Sequence, residues 1–541
     1  MIVSIFNDVI GPVMRGPSSS HCAAALRIGQ LARDLMDKDF HKVLVEFDRN
    51  GSLPTTHESQ GSDMGLFGGL LGLNAADECL PNSPQLLRDS GVSIQIETVD
   101  TGDEHPNTYR LTLYSDHEQH TLIAISTGGG IMEVIHIDGF DVSMSGDYHE
   151  TLLSVAGNGQ ALIQRIEELA EVDEVLLHEH CGRQLVQVKA AEFLNDATLG
   201  ELRKVCPVLQ VKKLAPVLPI ASRKNTRVPF TTCDEMLRYD AGRNIPLWKL
   251  ATEYEMARGG LTEEEVIAKM VDIIRILRRS VEQGIAGTHY EDRVLGHQSG
   301  KYKELMQSGR LLNSGALNRI VLYVTALMEV KSSMGVIVAA PTAGACAALP
   351  GAVIAMAEEM NLSEVEMAKA MVASGLIGTF IATSWSFAAE VGGCQAEGGS
   401  AAAMAAAALV TLANGSLPQA VAASSMAFQS MLGLICDPVA NRVEVPCLGK
   451  NVLAASNAVS CANMALADYD PVIPFDEVIE TAKRVAIQMP REVRCTSLGG
   501  LSITKTSLAI EAKLASKKAA ACGMSSCGCG GVTKRSARHG K

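Results

Sequence analysis

Three cysteines stand where a thiolate could be presented from a helix end or a turning loop. They are Cys394 in Gly392-Gly393-Cys394-Gln395, Cys436 in Cys436-Asp437-Pro438, and Cys447 in Pro446-Cys447. They lie 42 and 11 positions apart. Thiolates arriving from such places can converge on an iron–sulfur cluster, but ferredoxin-type ligands usually sit much closer together. By spacing alone, three unrelated buried thiols are the plainer reading. Near the start, Gly16-Pro17-Ser18-Ser19-Ser20-His21 suits an anion such as a carboxylate. Three hydroxyls and the backbone N–H groups of a Gly-Pro turn can surround it, and a helix starting at Ser20 or His21 would add its positive end. A simple helix cap with spare serines is the alternative. His21 is a candidate for substrate binding or proton transfer, because imidazole titrates near neutral pH.

These residues need elements to hold them. A chain of 541 residues exceeds what one core usually serves. Residues 1–147 mix short β-like runs (43–47, 93–98, 109–114, 121–126) with helix candidates at 23–36 and 64–73. Residues 148–221 read as a small unit of order β-α-β-β-α-β, the ferredoxin-like pattern shared by amino-acid-binding ACT-type modules. A plain spacer or dimerisation module fits that unit equally well. Residues 222–232 read as a linker. From 233 to 508 Ala-rich runs predict an all-helical domain, in which 262–283 forms a helix capped by Thr262. Residues 509–541 end in a Cys- and Gly-rich tail expected to be flexible. The fold class is therefore α+β.

Composition excludes several classes. A formal net charge of −13 argues against nucleic acid as the main partner. The uncharged stretch 370–389 is about long enough to span a bilayer, but its glycines, serines and threonines point to a buried core helix. The start carries Asp8 and no basic residue, unlike a secretory signal. The 14 cysteines are therefore read as reduced thiols in a cytoplasmic protein, not as disulfides.

The chain resembles the iron–sulfur-dependent L-serine dehydratases over nearly its whole length, in a single-chain form with beta-type and alpha-type regions fused. The resemblance rests on the Gly16–His21 segment, Gly51-Ser52-Leu53 and Ser126-Thr127-Gly128-Gly129-Gly130. It continues through Ala340-Pro341-Thr342 with Gly344-Ala345-Cys346, Ala389-Glu390-Val391, Cys394-Gln395-Ala396-Glu397 and Cys436-Asp437-Pro438-Val439-Ala440. It ends with Val445-Pro446-Cys447, Thr496-Ser497 and Gly499-Gly500-Leu501. The resemblance implies that Cys394, Cys436 and Cys447 hold a [4Fe–4S] cluster with one open iron. That iron would act as a Lewis acid on the β-hydroxyl of serine, giving aminoacrylate and then pyruvate and ammonia. It also implies that Ser18, Ser19, Ser20, Thr56 and Asp63 bind substrate, with His21 catalytic and Glu397 near the cluster.

The chain departs from the family at three places. Gln60 stands where a His is expected, and Gln cannot act as a base; His57 is the nearest replacement. Ala343 replaces an Asn. The tail carries Cys522, Cys527 and Cys529, in a family where some relatives end in a Cys that caps the open iron. Three other readings stay open. The same fold and cluster could act on threonine, or on cysteine with loss of sulfide. A pyridoxal phosphate dehydratase would need a Schiff-base Lys and a phosphate loop together, and no convincing pair is present. A non-catalytic iron–sulfur amino-acid sensor would bind ligand without turnover. A homodimer is the default assembly, with no nucleic-acid or membrane partner.

Overall fold

The computed structural model describes residues 2–523 apart from Pro17 and Ser59; the side chains of Ser20, Thr55 and residues 517–523 are also outside the description. After a short first strand, β1 (Val13–Arg15), come β2 (Lys42–Asp48), β3 (Ser93–Val99), β4 (Thr108–Tyr114), β5 (Gln119–Gly128), β6 (Ile131–Ile137) and β7 (Phe140–Met144). β2 to β7 form a sheet of order β3-β2-β4-β5-β6-β7, with only β2 and β3 parallel. Alternation along the strands turns Val43, Val45, Phe47, Tyr109, Leu111, Leu113, Leu122 and Ala124 into one core. Helices Ala24–Leu35 and Ser62–Leu71 cover that face. The two helices approach backbone to backbone. A Cβ on Gly65 would stand 2.1 Å from the carbonyl oxygen of Cys22, and one on Gly69 2.1 Å from that of Leu26. β6 and β7 extend the sheet beyond the four strands that sequence patterning marks.

β8 (His149–Val155), β9 (Glu174–His180), β10 (Arg183–Ala190) and β11 (Val208–Leu214) form a second sheet of order β11-β8-β10-β9, all antiparallel. Helices Gly159–Leu169 and Asp196–Val205 complete the β-α-β-β-α-β order. One sheet face packs on these helices through Leu153, Val155, Val186 and Val188. Leu152, Leu185 and Leu214 instead join the core of the first sheet. The buried ammonium of Lys212 ties the units together, bonding Asp37 at 2.7 Å and Glu118 at 2.6 Å. The module is thus packed onto its neighbour, not hung between domains.

The remaining chain is helical around the Ala-rich helix Ser400–Leu412, whose run Ala401–Ala408 is fully buried. Small side chains let helices Glu364–Ser384, Leu417–Gln429 and Cys447–Leu466 close around it. Thr262 caps Glu263–Ala286 in a reciprocal pair with Glu265. The expectation of an all-helical domain needs one correction. β12 (Val336–Val338) pairs antiparallel with β1, Val13 opposite Val338. Three residues carry too little pattern to announce a strand whose partner is so distant in sequence.

The apolar helix Glu364–Ser384 is long and apolar enough to cross a membrane, yet 78% of its most apolar stretch is buried inside the protein. Its glycines receive the N-terminus. Gly375 makes room for Ile5, and Gly378 for Val9, where a Cβ would stand 2.4 and 2.2 Å from those side chains. Buried Glu255 fixes the same segment, accepting from the Ser4 hydroxyl at 2.5 Å and the Ile5 N–H at 2.8 Å. β1 and this segment weld the N-terminal sheet domain to the helical domain.

Elsewhere, buried Glu329 accepts from the Gln298 N–H at 2.7 Å, the Ser299 N–H at 3.1 Å and the Ser299 hydroxyl at 2.6 Å, anchoring the start of helix Ser299–Gln307. Glu329→Ala orphans the two backbone N–H groups, while the Ser299 hydroxyl keeps the Gly284 carbonyl at 2.9 Å, and is expected to cost about 2 kcal/mol in a denaturant titration. An unchanged midpoint would mean the donors find other partners.

Candidate active site

A cavity of about 530 Å³ opens at the junction of the sheet domain and the helical domain. Three wide, π-helical turns feed it: Ile5–Val9, Ser19–Ala23 and Gln395–Gly399. Each places one or more side chains on the cavity wall, namely Asp8, then Ser19 and His21, then Glu397. Such turns widen the helical pitch by one residue and often re-aim side chains at functional sites.

The sheet domain supplies the polar side of the cavity. His21 is buried, with Nδ1 3.0 Å from the Ser18 hydroxyl and Nε2 3.0 Å from Thr56 Oγ1. Thr56 Oγ1 donates its own proton to the Ser52 carbonyl at 2.8 Å, so it accepts from His21 Nε2–H. Nδ1 is then the unprotonated nitrogen and accepts from Ser18. Burial lowers the His21 pKa from 6.5 to about 4, so the imidazole is neutral at physiological pH. The loop from Thr127 to Gly129 also lines the cavity, and buried Arg27 holds its base by donating to the Gly130 carbonyl at 2.5 Å.

The helical domain supplies the thiols. Cys436 and Cys447 line the cavity, while Cys394 lies buried beside Cys436. Lys450 Nζ donates to Cys394 Sγ at 3.6 Å, to Asp437 at 2.8 Å and to the Ile435 carbonyl at 2.6 Å. Cys394 and Cys495 both stand within hydrogen-bonding reach of the Cys436 thiol, and these neighbours together with burial raise its pKa. Burial pushes Cys447 up to about 12. Thiols crowded this way cannot ionise together unless positive charge sits among them. Among the described residues no three His, Cys, Asp or Glu side chains are placed to hold a single metal ion. The all-sulfur donor set suits a multi-iron cluster, whose ligands stand farther apart than those of one ion.

Glu397 accepts from the Thr342 hydroxyl at 2.7 Å, and burial pushes its pKa up to about 7. Gly344 leaves room for that carboxylate; a Cβ there would stand 2.7 Å from it. Asn451 is a structural clamp that donates to the Gly344 and Cys447 carbonyls and accepts from the Ala347 and Ala348 N–H groups.

The structure brings Ser18, Ser19, His21, Thr56, Cys436 and Cys447 to one cavity, and Cys394 to its edge. It does not bring His57 and Asp63 there. His57 Nδ1 pairs with Asp63 at 2.7 Å, its ring packs 5.3 Å from Phe47, and neither residue lines the cavity. The local reason is helix geometry: Gln60, not His57, follows Thr56 by one turn and faces the same side. The Ser20 side chain, Cys527 and Cys529 lie outside the described residues, as does the Cys522 side chain. Cys346 is buried and off the cavity. Asp8, Glu390 and Cys495 are among the wall residues to which sequence patterning assigns no role. Asp8, a lone acid in an apolar run, was the one with a visible signal; burial raises its pKa.

Comparisons with known proteins find relatives of both halves of the chain. A family model described as "Serine dehydratase alpha chain" matches residues 242–502. The "Probable L-serine dehydratase, alpha chain" of Bacillus subtilis is 34% identical over 285 residues, covering 53% of this chain and 95% of that protein. The "Probable L-serine dehydratase, beta chain" of the same organism is 33% identical over 219 residues, covering 39% of this chain and 98% of that protein. The "L-serine dehydratase" of Haemophilus influenzae is 27% identical over 502 residues, covering 90% of this chain and 96% of that protein. Alpha-type and beta-type relatives are thus both matched within one polypeptide, and the chain belongs to the L-serine dehydratase family in its fused, single-chain form.

Proposed function

We propose that this chain is a lyase that deaminates L-serine to pyruvate and ammonia, with a [4Fe–4S] cluster held by Cys394, Cys436 and Cys447. The observation that carries this reading is one cavity walled by the Ser18–His21 turn on one side and by Cys436 and Cys447 on the other. When bound, such a cluster with an open iron supplies a Lewis acid for the leaving β-hydroxyl.

The protein's own groups do the rest. The Ser18 and Ser19 hydroxyls and the Thr127–Gly129 loop suit the substrate carboxylate. Asp8, Glu390 and Glu397, also on the cavity wall, are the carboxyl groups available to the α-ammonium. The Ser18 hydroxyl points its proton at His21 Nδ1, leaving its oxygen lone pairs for the cavity. The α-proton passes to Ser18 Oγ as the Ser18 proton passes to Nδ1, so the neutral imidazole is the final base. Gln60 holds substrate by hydrogen bonds and takes no proton.

Protein purified without oxygen should release pyruvate rapidly from L-serine and carry about four irons per chain. A full cluster without pyruvate from serine would move the assignment to threonine or cysteine, with Gln60 as the cause. Turnover with no iron would end the cluster reading.

A further inference from the structure

Beside Cys394, Cys436 and Cys447 stands a fourth thiol with no role so far, Cys495, on the cavity wall. The backbone fixes its place next to Cys436. The Cys436 N–H donates to the Val493 carbonyl at 2.8 Å, and the Cys495 N–H donates to the Cys436 carbonyl at 3.1 Å. Residues 436 and 494 thus form a one-rung parallel bridge that sets the two thiols side by side. The following turn is tied down as well. The Thr496 hydroxyl donates to the Arg491 carbonyl at 3.0 Å, and the Leu501 N–H donates to Asp437 at 2.9 Å. That same Asp437 pairs with Lys450, which reaches Cys394.

This placement is strained. Cys495 has φ +59° and Ser497 φ +58°, both in the left-handed region that favours glycine. Each such residue costs about 1 kcal/mol or more. Gly499 and Gly500 lie close by in the same turn, but the strain falls on a residue that carries sulfur. Cys394, Cys436 and Cys447 are buried, whereas Cys495 is half-buried. It therefore sits on the open side of the thiol group, where substrate must enter.

We propose that Cys495 is a fourth sulfur ligand of the cluster, closing the iron left open by Cys394, Cys436 and Cys447 in the substrate-free enzyme and yielding it to substrate. This rests on the cluster reading above. The exchange is a ligand substitution without a change of oxidation state. The Cys495 sulfur leaves iron with its bonding electron pair, and the substrate hydroxyl oxygen supplies the replacing pair. The cap comes from the body of the helical domain, beside Cys436, and does not depend on the tail cysteines.

The test is iron-57 Mössbauer spectroscopy on the full chain, purified without oxygen, before and after adding L-serine. Wild type without serine should show all four irons in sulfur-only environments, and serine should shift one iron in four. Cys495→Ser should show one altered iron in four before serine is added, with circular dichroism unchanged. A triple variant, Cys522→Ser, Cys527→Ser and Cys529→Ser, should match wild type. If Cys495→Ser keeps the wild-type spectrum, or only the triple variant alters it, Cys495 is not the cap. A wild-type protein that holds no iron would instead overturn the cluster reading itself, a result distinct from the other two.

Discussion

Cys436→Ala, purified without oxygen, is expected to fold, to hold no cluster and to release no pyruvate above background. Cys436 is the middle thiol of its group, within reach of both Cys394 and Cys495, and it lines the cavity. Its backbone bonds to Val493 and Cys495 survive truncation at Cβ, so the fold has no reason to fail. Removing Cys436 takes away the thiolate that stands between Cys394 and Cys495, and a cluster that loses a buried ligand from the middle of its mount is readily lost. Iron, acid-labile sulfide and pyruvate measured on one sample check this. A variant that keeps both its iron and its turnover would remove Cys436 from the ligand set.

His21→Ala is expected to keep its cluster while kcat falls by about 10²- to 10⁴-fold, the usual contribution of a positioned general base. The same residue fixes a sign for pH. Burial lowers its folded pKa from 6.5 to about 4, so the unfolded chain binds more protons between those values. Its contribution to stability is present above the unfolded value and is lost as pH falls towards about 4. Wild type should therefore lose stability in this window relative to His21→Ala. Its kcat/KM profile should show no acidic limb near 6.5 from this imidazole. A limb there, absent from His21→Ala, would mean that His21 is solvated and not held by Ser18 and Thr56.

Much of the element list was legible because local patterning is dictated by immediate neighbours. β2, β4 and β5 alternate apolar and polar residues, and the Thr262 cap with Glu265 announces its own helix. The β-α-β-β-α-β order of residues 149–214 could be read in the same way. The glycines of 364–384 argued for a core helix, but only packing shows what they admit, Ile5 and Val9. His57 shows where local reading stops: it is near Thr56 in sequence, yet its ring pairs with Asp63 away from the cavity.

Sequence alone thus determined the residue types able to bind iron and a carboxylate, the order of most elements, and the helix that stays in the core. Tertiary structure decided that Ser18, His21, Glu397 and Cys436 share one cavity, that Asp8 joins them, and that Cys495 stands beside Cys436. The reason is physical. Periodicity and capping act over a few residues, whereas the cavity depends on β1 meeting β12 and on Glu255 holding Ser4, contacts between segments hundreds of residues apart that form only when the two cores close on each other.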